Sequence, residues 1–207
     1  MTRAQAPDGE LEFRSFGAAG AARTVLVLRV GAVALLDPDP SATLDHDVRL
    51  MAVQLDEVEL DDPPTYGGET PAASTAAALA DLVRREVPGA VIGLVAERDA
   101  VPLGVALAAS AGTLVDRLAL VDVRVPESAL VGDLLAEESA AVAAPSIVVS
   151  AAQDEAAARW YADRLRESEV RVVESGDNGV SLTHAWDVVL GHVAPQPAEE
   201  RAPRVGA

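Results

Sequence analysis

Nucleophilic or metal-assisted chemistry needs thiols, hydroxyls beside imidazoles, or clustered ligands, and this 207-residue chain holds few of them. It has no Cys and three His, at 46, 184 and 192. That removes a thiol nucleophile, an iron–sulfur cluster, a disulfide scaffold and a Cys-ligated zinc site. It also leaves no His-rich site, so neither a metal nor a cofactor is expected. Asp56, Glu57, Glu59, Asp61 and Asp62 form an acidic run that could attract a hard cation. They lack EF-hand spacing and read as a solvated loop. No Gly-x-Gly-x-x-Gly or Walker A pattern follows an apolar run, so nucleotide binding has no motif behind it. Ser150 ends one apolar run, and Ser175 and Ser181 flank the segment after another. All three read as turn or capping serines.

Charge narrows the partners. Asp and Glu number 33 against 16 bases, a net charge of -17, and every base is Arg. A chain without a basic stripe is not expected to bind nucleic acid or an anionic membrane. No apolar run reaches about 18 residues, and Met1 to Glu10 is polar, so neither a span nor a signal peptide is read and a cytoplasmic location is expected. The Lys-free usage, rich in Ala, Val, Arg and Asp, resembles that of high-GC bacteria.

The elements that would position any site come from an aliphatic pattern, since 50% of residues are hydrophobic but only 3% are aromatic. Short aliphatic runs at 11–16, 24–30, 49–53, 90–95, 118–123, 146–150 and 170–174 read as strands. Ala-rich amphipathic stretches at 70–85, 99–111, 155–167 and 182–193 read as helices, the first opened by Thr70-Pro71 and stopped by Pro88-Gly89. The alternation predicts an α/β three-layer sandwich, a mostly parallel central sheet with helices on both faces. Residues 1–10 are expected to be a flexible N-terminus, 11–193 a single domain and 194–207 a disordered tail. Residues 37–47 and 54–68 read as polar, Pro-rich loops, and no internal repeat is present.

The element order over residues 11–193 resembles the α/β-hydrolase fold. VIGLVAERDAVPLGVALAAS (91–110) is similar to that family's strand, nucleophile elbow and following helix. APSIVVSAAQDE (144–155) resembles the strand and turn that deliver the catalytic acid, and RVVESGDNGV (171–180) the strand and loop that deliver the histidine. The three segments occur in the family's order of nucleophile, acid and base.

The resemblance implies a degenerate site. The family's Gly-x-Ser-x-Gly stands here as Ala96-Glu97-Arg98-Asp99-Ala100, so Arg98 holds the nucleophile position. A guanidinium stays protonated and cannot attack an acyl carbon. Its plainer role is an ion pair with Glu97 or Asp99. Asp154 holds the acid position, or else acts as an N-cap or first-turn acid of the helix that follows. Asn178 holds the base position and has no useful basicity. His184, six residues later, could substitute as base, or is an exposed first-turn histidine. The family's His-Gly of the oxyanion site corresponds to Arg29-Val30, with Gly31 one place later. Between 123 and 146 there is room for one short helix, which implies a lidless member with a shallow site.

These expectations lead to a pseudoenzyme that binds a small molecule or a protein, with Arg29, Gly31 and Asp99 near the binding site. Arg98 and Asp154 are expected to face one cleft and to pair with each other or hold an anion. The alternatives are an ester or thioester hydrolase with a hidden nucleophile such as Ser150 or Ser175, and a structural subunit paired with an active homologue. Trp160, Tyr161 and Trp186 read as packing residues, with an exposed Trp as a possible partner surface. Oligomeric state is left open.

Overall fold

The computed structural model of the protein describes residues 2–6, 9–31, 34–55, 71–174 and 180–195. Eight strands form one sheet: β1 (Thr2–Ala6), β2 (Gly9–Phe16), β3 (Arg23–Val30), β4 (Val48–Leu55), β5 (Ile92–Glu97), β6 (Val115–Val121), β7 (Ser146–Ser150) and β8 (Ser168–Val172). Their spatial order is β1-β2-β4-β3-β5-β6-β7-β8. β1 and β2 pair antiparallel with each other, β2 pairs antiparallel with β4, and every later pairing is parallel.

Parallel strands are buried on both faces, and β3 shows why its sequence has no polar alternation. Leu26 and Leu28 point into a core under α2 (Pro71–Glu86), α3 (Val101–Ser110), α4 (Ala129–Ala141) and α5 (Glu155–Ala162). Val25 and Val27 point the other way, into a core under α1 (Pro40–Asp45) and α6 (Leu182–Val193). The three-layer sandwich is therefore the observed architecture.

Three features differ from the sequence reading. Residues 1–10, expected outside the domain, contribute β1 and the start of β2, so the sheet begins before Leu11. The polar stretch 37–47 contains α1, whose six residues are too few to show a helical period. Its start is made by Asp39, whose carboxylate accepts from the Ser41 and Ala42 amides at 2.9 and 3.3 Å, with Pro40 at the first helical turn. The room between β6 and β7 holds a helix of 13 residues, α4. Residues 56–70, with the acidic run, and 196–207, most of the expected tail, lie outside the described residues.

Candidate functional site

The parallel strands all end on one edge, where the segments leaving β5 and β6 meet. β5 is buried up to Ala96, and a single 3-10 turn, Arg98–Ala100, carries the chain directly into α3. The bend is tight enough that Arg98 adopts φ +53°. This left-handed conformation costs an L-residue other than Gly roughly 1–2 kcal/mol. Small residues allow the close return: a Cβ on Gly104 of α3 would overlap the Ala96 Cβ. A strained strand-to-helix elbow is thus present, with Arg98 at its apex.

β6 is also followed by a left-handed residue. Asp122 follows it at φ +54° and is buried, with its amide donating to Val149 O at 3.0 Å. The Arg98 Nε donates to Asp122 Oδ2 in an ion pair, so two left-handed residues on neighbouring strand ends are joined by their charges. The Asp122 hydrogen bond raises the Arg98 pKa further, and burial of the guanidinium opposes it. Arg98 therefore stays charged at any working pH.

A second pair lies beside the first. Arg29, near the end of β3, donates from Nε to Glu97 Oε2 at 2.7 Å, and both side chains are nearly buried. The other oxygens of the two acids reach the same short segment. Glu97 Oε1 accepts from the Leu182 amide at 3.3 Å, and Asp122 Oδ1 from the Val180 amide at 3.4 Å. The two carboxylates thus bind the entry to α6. They satisfy amides at a helix start that would otherwise lack partners.

Outside this doublet is a solvent-open cavity of about 360 Å³, lined by residues that include Arg98, Asp99, Arg124, Glu127, Ser128 and Tyr161. Its wall is fixed by Tyr161, whose hydroxyl donates to Arg124 O at 3.1 Å, and by a looser Arg124–Asp99 pair at 3.7 Å. The Arg98 side chain is 41% exposed and so reaches both the buried carboxylate and the cavity.

The expected pairing of Arg98 with Asp154 is replaced by the one with Asp122. Neighbouring strands lie about 4.8 Å apart, so an acid at the end of β6 is one spacing from the elbow and an acid after β7 is two. Asp154 instead ends a 3-10 turn and stands half-buried at the N-cap of α5, without a side-chain capping bond. Gly31 has φ +86°, and its carbonyl accepts from the Ala34 amide at 3.0 Å. His184 is exposed in the first turn of α6. His46 and His192 are at the opposite edge, near Ala194 O and Pro145 O. Ser150 is fully buried with no hydrogen-bond partner for its hydroxyl, and Ser181 stands exposed at the N-cap of α6. Asn178 and Ser175 lie outside the described residues. Sequence reading gave no role to Asp122 or Arg124, and it offered Glu97 and Asp99 as partners of Arg98, whereas Glu97 pairs with Arg29 and Asp99 with Arg124. The available signal was LALVDV, where an acid directly follows a strand buried on both faces.

No protein-family model and no curated protein sequence matches the chain. Solved structures do. A thioesterase domain from the curacin biosynthetic pathway superposes with a TM-score of 0.65 at 12% identity, over 91% of this chain and 96% of that one. An enol-lactonase from Burkholderia xenovorans LB400 gives 0.63 at 14%, over 84% and 91%. A cold-adapted esterase from an Arctic intertidal metagenomic library gives 0.63 at 14%, over 84% and 83%. The chain has the α/β-hydrolase fold. At these identities the likeness is one of architecture, and an α/β-hydrolase fold alone does not fix an activity. Within that fold, the elbow after β5 is where Arg98 stands.

Proposed function

We propose that this α/β-hydrolase-fold protein lacks conventional serine-hydrolase activity and uses the cavity at its strand ends to bind a small anionic molecule. The observation that carries the proposal is the Arg98–Asp122 pair at the elbow. A guanidinium there has no lone pair for an acyl carbon, and its Nε is already committed to a buried acid. Arg29 is likewise engaged by Glu97, so the neighbouring strand end is filled by a salt bridge. Arg98, whose side chain is 41% exposed, and Arg124 both line a concave, water-open surface. A carboxylate or phosphate placed between them would gain charge-assisted hydrogen bonds. Asp99 and Glu127 on the same rim favour a ligand that also carries a donor group.

Esterase and thioesterase neighbours make ester hydrolysis the runner-up. Complete burial of Ser150 counts against it as the hidden nucleophile. Two measurements test the proposal. The wild-type chain is expected to hydrolyse short-chain nitrophenyl esters no faster than buffer and to take up no fluorophosphonate probe. A stoichiometric adduct on one serine would overturn it. Small carboxylates and phosphates are then screened by thermal shift, where a ligand at 100 times its Kd stabilises by about 2.7 kcal/mol. The shift of any hit is expected to vanish in Arg98→Ala and to shrink in Arg124→Ala, each read against its own ligand-free melting temperature. Gain of ester hydrolysis in the Arg98→Ser, Asn178→His double variant would add support by restoring a hydroxyl and an imidazole at the elbow and the base loop.

A further inference from the structure

β8 is the last strand of the sheet, and among the described residues no strand pairs with its outer edge. Its inner edge is defined by bonds to β7: the Glu167 carbonyl accepts from the Ser146 amide at 2.9 Å, and the Val173 amide donates to Ser150 O at 3.0 Å. Residues of one parity therefore face β7. Ser168, Val170 and Val172 turn their amides and carbonyls outward. An open row of such groups is a template for another strand.

The side chains of this edge complement themselves. In the sequence Ser168-Glu169-Val170-Arg171-Val172, charge is arranged symmetrically and oppositely about Val170. Glu169 and Arg171 share the α6 face of the sheet, because their register partners Ile147 and Val149 belong to the core under α6. They form an ion pair at 2.9 Å, and each side chain is 56% exposed. If a second β8 ran antiparallel about a two-fold axis at Val170, Val170 would face its own copy and Ser168 would face Val172. Glu169 would then face Arg171 of the other copy, and Arg171 would face Glu169. These charged residues would occupy non-hydrogen-bonded positions, where Cα atoms approach to about 4.5 Å and side chains are closest. Val172, 49% exposed, and Val188 of α6, 39% exposed, would add apolar surface on either side of the junction. A groove of about 500 Å³ between β8 and α6, lined partly by Asp187, Val188 and His192, runs along the same edge.

From this self-complementarity we infer that the protein forms a two-fold dimer through antiparallel pairing of β8 with β8, which joins two eight-stranded sheets into one. The ladder would supply about six backbone hydrogen bonds, and four charges would alternate in sign across the axis. A net charge of -17 on each copy opposes association at low salt. At 0.15 M ionic strength the Debye length is only about 8 Å, so the local pairs decide the outcome.

The test is sedimentation equilibrium of the full chain at tens of micromolar in 0.15 M salt, with circular dichroism as the check on folding. The wild type is expected to be a dimer. Glu169→Arg and Arg171→Glu, each placing like charges across the axis, are expected to be monomers at the same concentration. The double swap, Glu169→Arg with Arg171→Glu, is expected to recover the dimer. An equimolar mixture of the two single variants is expected to give a heterodimer, since each then meets only opposite charges. A monomeric wild type would overturn the inference. So would a dimer that both single variants leave unchanged, because another surface would then hold it.

Discussion

Arg98 and His192 are opposite cases of a cation in a protein. Arg98 is held charged by a carboxylate, whereas burial pushes the His192 pKa below its ordinary 6.5. His192 Nε2 lies 3.0 Å from Pro145 O, so the neutral ring donates there. The unfolded chain takes up a proton at this site as pH falls through about 6.5, while the native protein resists until a lower pH. By linkage, the contribution of His192 to stability is present above that value and is lost as pH drops towards the folded pKa. Wild type is therefore expected to lose more stability than His192→Gln between pH 7 and 5, read as urea midpoints at each pH. Burial raises the Asp37 and Glu138 pKa values, so their contributions have the opposite sign and cancel in the comparison. Equal pH slopes in the two proteins would refute the assignment. At this scale the sequence was partly legible. Arg98 could be placed at the apex because small residues flank it, but its partner could not, since Asp122 and Asp154 each follow a strand run. Only strand adjacency, a long-range property, separates them.

Between residues and the whole fold, the elbow depends on how closely α3 returns over β5. Gly104 is the contact, because a Cβ there would overlap the Ala96 Cβ, both belonging to rigid backbone elements. Gly104→Ala is expected to cost about 1–3 kcal/mol, the usual range for overpacking. Gly132, in α4, has open space around it, and Ala there is expected to stabilise by about 0.5–1 kcal/mol through helix propensity alone. Opposite shifts of the urea midpoint would establish that packing, and not helix propensity, sets the first result. A stabilising Gly104→Ala would mean that α3 does not return this closely over β5. The α3 segment also shows which elements can be read from sequence. VPLGVALAAS is long enough for its Pro and its apolar run to identify a helix, but the amphipathic pattern expected over 99–111 is not there, because the helix is buried nearly all round. α1 has neither length nor period. It is held instead by Asp39 at its start and by Trp186 of α6, whose Nε1 donates to Thr43 Oγ1 at 3.1 Å.

The chain as a whole carries 33 acids and 16 bases, and that imbalance acts on the compact state everywhere at once. Element order was legible from the alternation of aliphatic and Ala-rich runs; strand order was not, because nothing local tells β4 to insert between β2 and β3. Net charge is legible in full and makes its own prediction. Like charges brought together by folding repel, and unfolding relieves them, so dilute salt should leave the protein less stable than physiological salt. Between 0.01 M and 0.15 M the Debye length contracts from about 30 to about 8 Å, which removes most long-range repulsion while leaving partly buried pairs such as Arg29–Glu97 and Arg98–Asp122 little affected. The melting temperature is expected to rise across that interval and to level off beyond it. Sodium chloride is the right salt for the measurement, since sulfate would also strengthen apolar burial and could occupy the Arg98 cavity. The Arg171→Glu variant should be measured alongside, because a dimer that tightens with salt would raise the wild-type melting temperature by mass action. If the variant shows the same rise, self-repulsion accounts for it. A melting temperature that falls with salt in both proteins would instead mean that attractive ion pairs outweigh the excess of acids.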